Sequence, residues 1–583
     1  MQESSLEITD IEDVDDNQVN SSSVYWCENC SVPLIQNECN LCKSLGKRVG
    51  SSLKPVFRDE YSMFKDEIMS SKNVNLNERY FPWILFRRKN YLIGDTTNGN
   101  VFLSYNLTSK EFILFNLVFK IPMNSTLKRS LFKKSNHFLE NQDYLDKLIN
   151  ANLSTLIEME NEAIDFIQDV IKKYPKYKVV ASFSGGKDSL VTTNLLKTAT
   201  TQEFDIVYSN TGIEFDETTE YIERYMPNFG NLVHLNAKRD FLELCDELGP
   251  PSRMMRWCCF TQKGAPINDY YAQIKGKVLS FDGIRREESN LRKGYPRIKE
   301  NTKITKQLSI YPIIDWPELA VWLYIFWRKL EYNPVYDKGF ARCGCWACPN
   351  NSQFDWYLFR KFYPEKFDEW RTALTKYTQE EGRYDHSWIW DGSWKSRKVQ
   401  YKDQSEGSFE EQNDPFLDND SEDEGDINYV DEEIKESKIC LENNDFLIKL
   451  NRKIDKRIIE FLKPFGKLKE MEINSKNYKI IEGKSIRFKI PENSTMISIE
   501  VLIEDDFPKI KKLIERQIVK SLNCIDCAAC TNSCKYGAID FTSKEFQINE
   551  KLCVNCMECC TTKYLTAGCI AIHYKSKRKK LQI

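Results

Sequence analysis

Residues 184–189 read Ser-Gly-Gly-Lys-Asp-Ser, set between the apolar run of Val179 to Phe183 and the helical pattern that begins at Leu190. These residue types suit an oxygen anion. Gly185 and Gly186 let backbone N–H groups come close to a ligand, Ser184 and Ser189 can donate hydrogen bonds, and the start of a helix adds partial positive charge. Lys187 supplies a full charge, and Asp188 can hold Mg²⁺ or orient the loop. The four-residue gap and Gly-Lys-Ser of a Walker loop are missing. The chemistry to expect is on the phosphates of a nucleotide, with Lys187, Asp188 and Ser189 as its candidate catalytic groups.

Cysteine is the second reactive set, at twenty in 583 residues. The N-terminal "MQESSLEITDIEDVDD" is acidic where a secretory leader would be basic and then apolar. The longest apolar window, "LAVWLYIFW", is half the length a membrane span needs. A soluble, cytoplasmic protein with no membrane partner is expected, and its clustered cysteines then read as metal ligands rather than disulfides. Cys27, Cys30, Cys39 and Cys42 form two CxxC knuckles, the spacing of a zinc ribbon with a closed structural Zn²⁺ site. Cys258 and Cys259 are adjacent, and Cys345 and Cys348 form a further CxxC. Adjacent thiolates are awkward on one ion, so a [4Fe–4S] cluster is expected there over zinc.

What must position the loop is a strand before it and a helix after it, and "KYKVVASF" and "LVTTNLLKT" supply them. The pattern recurs in "FDIVYSNTGIEF" with "DETTEYIERYM", in "LVHLNA" with "RDFLELCDELG", and in "KVLSFDGI". Strands alternating with helices predict an α/β fold, a mainly parallel sheet with helices on both faces. Ligands bind beyond the carboxyl ends of such strands. Thr211 and Gly212 stand at one such end and join Ser184, Gly185, Gly186, Lys187 and Ser189 as nucleotide-binding candidates. "FDGIRREESNLR" starts at another, so Arg285, Arg286 and Arg292 can converge on the phosphates. After "IID", Asp315 reads as a helix N-cap, with Pro317 in the first turn and Glu318 three residues past the cap.

Six motifs then stand in order across about 180–350: "SGGKDS", "NTGIEFDET", "MRWCCFTQK", "DGIRREESNLR", "YPIIDWPELAVWLYI" and "EYNPVYDKGFARCGCWACP". Together they resemble the phosphoadenosine phosphosulfate (PAPS) and adenosine phosphosulfate (APS) reductases of the PP-loop superfamily. The resemblance implies sulfur chemistry on an adenylyl nucleotide, ATP or adenylyl sulfate, and a [4Fe–4S] site at Cys258, Cys259, Cys345 and Cys348. One departure counts. The nucleophilic Glu-Cys-Gly-(Leu/Ile)-His tail of the sulfonucleotide reductases is missing after "GCWACP", which puts their thiosulfonate route in question. The same fold serves ATP-dependent sulfur insertion, in which an oxygen is adenylylated, pyrophosphate leaves and a sulfur donor displaces AMP.

At the far end, "CIDCAACTNSC" and "CVNCMECC" resemble a bacterial two-cluster ferredoxin, in which the fourth cysteine of each run serves the other cluster. That assigns Cys524, Cys527, Cys530 and Cys569 to one cluster, and Cys553, Cys556, Cys559 and Cys534 to the second. Lys535 replaces the usual proline. Cys343, Cys440 and Cys560 receive no role. The order of modules resembles an archaeal-type fusion whose middle piece looks like a PUA RNA-binding domain.

Composition divides the chain. Residues 1–22 and 401–438 are acidic and read as disordered; 23–50 is the zinc ribbon and 51–140 a β-rich, PUA-like piece. The nucleotide domain spans 141–400, a small α+β module 439–520, the ferredoxin-like domain 521–574 and a basic tail 575–583. The formal charge of −3 hides a body near +18 once the acidic segments are set aside. Such a body suits a polyanion such as RNA. The expected function is ATP-dependent thiolation of an acceptor such as RNA, with a sulfur-donor or electron-donor protein as partner. The alternative is an APS/PAPS reductase fed by its own ferredoxin domain; a nucleotide-sensing scaffold fits the intact Lys187, Asp188 and Ser189 less well. Purified anaerobically, the full chain should carry about twelve iron atoms and one zinc by elemental analysis, the load of about three [4Fe–4S] clusters and one Cys₄ site.

Overall fold

Six strands make the sheet that carries the loop: β1 (Lys178–Phe183), β2 (Asp205–Asn210), β3 (Asn231–Asn236), β4 (Val278–Asp282), β5 (Ile298–Glu300) and β6 (Gln307–Ile310). Their order is β3-β2-β1-β4-β6-β5, all parallel except β5 against β6. Near-continuous burial of Val179–Ala181, Asp205–Tyr208 and Val278–Phe281 is what a sheet covered on both faces demands. Helices α1 (Lys187–Ala199), α2 (Asp216–Tyr225), α3 (Phe241–Leu248) and α4 (Ala265–Gln273) cover it. The expected α/β fold is what the chain adopts.

The computed structural model describes residues 23–50, 53–60, 62, 83–85, 90–96, 99–106, 111–116, 138–253, 256–289, 291–301, 304, 306–380, 388–389, 392–396, 445–503, 507–541, 543–560 and 569–571. The acidic segments, the basic tail and Cys440 lie outside them. The chain divides into two units, one of Met1–Glu162, Arg285–Gly294 and Ile314–Glu331, the other of Ala163–Ile284, Tyr295–Ile313 and Tyr332–Ile583.

In the first unit a small three-stranded sheet (Val24–Cys27, Val32–Leu34, Lys47–Gly50) carries the zinc-ribbon cysteines. Trp26, Leu148, Leu156, Leu319 and Leu323 pack into one core with it. A second, antiparallel sheet joins Leu53–Pro55, Trp83–Leu85, Asn90–Thr96, Gly99–Asn106 and Glu111–Asn116. The helix expected after Asp315 begins later, at Glu318, with Pro317 at its cap. Asp315 is taken by Arg286, and the Glu287 carboxylate accepts the Glu318 N–H at 2.7 Å. The cap comes from a residue distant in sequence, which local rules could not anticipate.

In the second unit the nucleotide sheet is joined by the α+β module. Strands β7 (Asp445–Lys449), β8 (Lys467–Ile473), β9 (Lys476–Glu482), β10 (Ile486–Pro491) and β11 (Met496–Val501) form an antiparallel sheet in the order β7-β11-β10-β9-β8. Helices α5 (Lys456–Leu462) and α6 (Phe507–Asn523) accompany it. Ile459, Leu462, Ile481, Phe488, Ile499 and Ile514 belong to its core, as does Cys560.

The strand order reverses between β1 and β4, so a ligand crevice is expected beyond their carboxyl ends. There Gly283 touches the start of α1: a Cβ added to it would lie 2.4 Å from the Asp188 carbonyl carbon and 2.5 Å from the Ser189 nitrogen. Gly283→Ala must therefore displace the loop. A misplacement of about 1 Å costs about 10²-fold in turnover, and that loss should appear in nucleotide kinetics while circular dichroism stays unchanged.

One residue earlier, burial pushes the Asp282 carboxyl up to about 6, although Ser280, Ser309 and Gln307 hydrogen-bond its charged form. A carboxyl whose folded pKa exceeds its unfolded value holds the proton longer when folded, so stability falls as pH rises from about 4 to about 6. Asp282→Asn should therefore raise the apparent Tm above pH 6, and the gain should vanish below pH 4 in a series of thermal melts.

Candidate functional site

The helix after the loop starts three residues earlier than its apolar pattern suggests, which places Lys187, Asp188 and Ser189 in its first turn. Gly186 is the N-cap in extended conformation and offers no side chain to the free N–H groups. Gly185 adopts φ +77°, and a Cβ there would lie 2.8 Å from Thr218 Cγ2. No other residue type meets both demands without strain. Ser189 Oγ donates to the Gly186 carbonyl at 2.9 Å and lies 3.5 Å from Ser184 Oγ. Lys187 Nζ sits 3.1 Å from an Asp188 carboxylate oxygen, both residues buried. The result is a row of donors in front of α1 with a lysine charge beside it.

Two residues the sequence reading passed over hold this loop from the other side. The buried Asn333 amide donates to the Gly185 carbonyl at 3.2 Å and to Thr218 Oγ1 at 2.9 Å. The Tyr336 hydroxyl accepts the Lys187 N–H at 2.9 Å. Both belong to "EYNPVYDKG", where the Asn-Pro pair signals a capped turn: Asn333 Oδ1 accepts the Val335 N–H at 3.0 Å. Cys343 is buried against the same tyrosine; burial drives its thiol pKa up, with Tyr336 and Lys187 opposing that. Such a thiol is poorly ionised, which does not favour a nucleophile.

The loop after β2 joins this cradle to the cysteines. Thr211 Oγ1 donates to Glu214 Oε1 at 2.7 Å and lies 3.5 Å from Cys345 Sγ. Gly212 turns the backbone with φ +75°, and the Trp346 N–H reaches the Ile213 carbonyl at 2.8 Å. Cys258 is brought electrostatically near Cys259, Cys345 and Cys348: the hydrogen bond from Cys259, then burial, then the three charges push its thiol up. Lys263, four residues past Cys259, stands in the same group. Cys345 chiefly holds its ammonium charged against burial, with Glu214, Cys259 and Cys348 adding. Nothing in residue spacing marked Lys263; its place after the cysteine pair on one helical segment was the available signal. That segment, Cys259–Gly264, is a π-helix, a form frequent at functional sites.

Arg285, Arg286 and Arg292 fall in the first unit. There Arg285 is buried and paired with Glu287, Arg286 with Asp315 and Arg292 with Glu288.

The four ribbon cysteines bring their sulfurs within 4.8 Å of one another, with 3.4 Å from Cys27 to Cys42 and 3.8 Å from Cys30 to Cys39. A tetrahedron around zinc, with bonds of about 2.3 Å, has edges of about 3.8 Å. The donor set fits Zn²⁺. Each knuckle closes through a left-handed residue after its second cysteine, Ser31 (φ 56°) and Lys43 (φ 59°). Among the described residues no other group of three or more such ligands is so tight, as expected of cubanes, whose thiolates bind separate irons.

The C-terminal runs are shaped alike. Asp526 and Ala528 follow Cys524 at left-handed φ of 54° and 60°, and Asn555 and Met557 follow Cys553 at 54° and 58°. Alternating right- and left-handed residues point successive N–H groups into a concavity of the kind that holds iron–sulfur clusters. Burial raises Cys527 to about 12, with Cys569 and Asp526 adding, and the charges acting on Cys524 include Cys530 and Cys569. Cys553 and Cys556 instead feel Cys559 and Cys534. A small cavity is lined by those four, Cys534, Cys553, Cys556 and Cys559. The residues present thus fit two clusters. Cys560 is fully buried in the α+β core, its sulfur 4.0 Å from that of Cys559.

The first of these runs packs on the helix that follows Cys258 and Cys259. Ala265 shares a core with Cys530, Ala528 and Ile539. Asn268 donates to Asn532, and Arg239 Nη1 reaches the Ile525 carbonyl at 2.6 Å. Gly537 (φ +64°) leaves room for Ala272, whose Cβ would lie 2.5 Å from a Cβ at that position.

Residues 178–351 match the phosphoadenosine phosphosulfate reductase domain. Two uncharacterized proteins of Methanocaldococcus jannaschii are 35% and 32% identical, over 44% and 47% of this chain; the chain spans 53% and 63% of their lengths. An adenosine 5′-phosphosulfate reductase of Geobacillus sp. is 28% identical over 32% of this chain and 78% of its own. A phosphate cradle at the switch point of a parallel sheet, cysteines beside it and this domain match agree: the chain belongs to the PAPS/APS reductase family of the PP-loop superfamily.

Proposed function

We propose that this PP-loop enzyme uses ATP to adenylylate an oxygen of an acceptor, RNA by its charge, and replaces that oxygen with sulfur. The observation that carries the reading is the cradle itself, Gly185 to Ser189 at the start of α1, with buried Lys187 against Asp188. It suits a pyrophosphate leaving group, whose developing charge the lysine and the helix N–H groups would stabilise. The acceptor oxygen attacks the α-phosphorus and the bond to pyrophosphate breaks. A hydrosulfide or persulfide sulfur then attacks the acceptor carbon, and AMP leaves with the oxygen. Between Cys348 and Cys440 the chain has no cysteine, and Cys343 is buried; neither favours a thiosulfonate route.

Thr211, Glu214 and Lys263 tie the cradle to Cys258, Cys259, Cys345 and Cys348. A [4Fe–4S] cluster held there would supply or accept electrons beside the nucleotide. Asp188 is the residue here suited to Mg²⁺. A second reading, APS or PAPS reduction with electrons from the C-terminal module, is favoured by the packing of Ala265 and Asn268 on that module.

One anaerobic assay with ATP, APS or PAPS decides. Thiolation predicts AMP and pyrophosphate from ATP only when an acceptor RNA is present, with RNA binding that weakens steeply with salt. Lys187→Ala should lower that turnover about 10²–10³-fold while iron content stays constant. Sulfite from APS or PAPS with no ATP consumed would overturn the thiolase reading in favour of the reductase.

A further inference from the structure

Helix α6 runs from the α+β sheet to the first ferredoxin-like cysteine and carries a lysine into the interior. Lys520 is 2% exposed. Its Nζ lies 3.4 Å from the Cys559 carbonyl and 5.8 Å from the centroid of the Phe461 ring. One turn earlier the buried Gln517 amide donates to the same carbonyl at 3.3 Å. Removing an ammonium from water is costly unless negative charge stands close by. The charges acting on Lys520 are Cys530 and Cys569 of one set, Cys559 of the second, and Cys560.

Other cations of this module differ. Lys535 pairs with Glu558 at the surface, and Arg457 pairs with Asp526 at 2.8 Å while donating to the Cys524 carbonyl. Each brings a carboxylate that cancels most of its field. Lys520 is the buried cation acting on cysteines of both sets. Reduction adds one negative charge to a cluster, and a fixed cation in a low-dielectric interior stabilises that added charge.

We propose that Lys520 is a positioning cation shared by the two cysteine sets of the C-terminal module, set to raise the reduction potentials of both their iron–sulfur clusters. The inference rests on the cluster reading of those cysteines and is independent of which substrate the nucleotide domain takes.

The test is a potentiometric titration of the full-length, anaerobically reconstituted protein with dithionite, followed by electron paramagnetic resonance. Lys520→Met should keep the wild-type iron content and move both C-terminal signals to more negative potential, whereas Lys520→Arg should leave them near wild type. Unmoved signals in an iron-replete Lys520→Met protein would overturn the proposal, as would a shift confined to the cluster at Cys258, Cys259, Cys345 and Cys348. Should Lys520→Met fail to hold iron, Gln517→Glu keeps the lysine and sets a carboxylate beside it. The same negative shift is then expected, and its absence counts against the proposal equally. A wild-type chain without iron would remove the cluster reading and this inference together. The nucleotide assay reads the catalytic proposal separately: shifted potentials in a chain that turns over neither ATP nor sulfonucleotide still support the role of Lys520.

Discussion

Backbone meets backbone where β4 ends and α1 begins. No side chain fits at Gly283, because Asp188 and Ser189 already occupy the space. The shape of the phosphate loop is therefore fixed by the sheet rather than by the loop's own residues. Asn333 and Tyr336 close the opposite side, and Thr218 closes over Gly185. A cradle held this way pays little reorganisation when charge develops on its ligand. The same crowding explains the run of small residues: bulk at 184–186 would meet Thr218, Asn333 or the α1 backbone.

Charge compensation is the second constraint. Burial raises most of these thiols, yet a metal needs them as thiolates. The chain answers with cations and N–H groups rather than solvent. Lys263 serves the cysteines beside the nucleotide, Lys520 those at the C-terminus, and left-handed residues turn N–H groups inward, as with Asp526 to Cys524 Sγ at 3.4 Å. The ribbon differs: a Ser44 hydrogen bond lowers Cys42 to about 6, so part of that set ionises near neutrality without outside help.

How much of this was legible follows from the range of each interaction. The βα alternation was readable because burial on a parallel sheet imposes long apolar runs, as at Val278–Phe281. Cysteine spacing was readable because a short loop must wrap one metal. The start of α1 was placed late because Lys187, Asp188 and Ser189 are polar, and only the fold shows them buried in a helical turn. Asp315 was read as a cap because its neighbours suit one; Arg286 claims it through a contact 29 residues away. Asn333, Tyr336, Lys263 and Lys520 act across 39 to 149 residues, and nothing local sets them apart from ordinary turn or surface residues.

The segment after Cys258 joins these constraints. From Cys259 to Ala265 is six residues, about 9 Å at a helical rise, and Ala265 is already part of the core that holds Cys530. The residues that anchor one cysteine set thus fix the distance to the next. A mobile tether would make electron delivery depend on effective concentration; here Asn268, Arg239 and Gly537 seat the module directly. On the nucleotide side, Thr211 and Glu214 make the corresponding join to Cys345. Either sulfur chemistry would use this line, because both need the nucleotide, the first cysteine set and the C-terminal set at constant separation. The physical distinction between the two lies upstream of the cysteines, in whether the cradle at Lys187 holds a leaving pyrophosphate or a sulfonucleotide that never loses one.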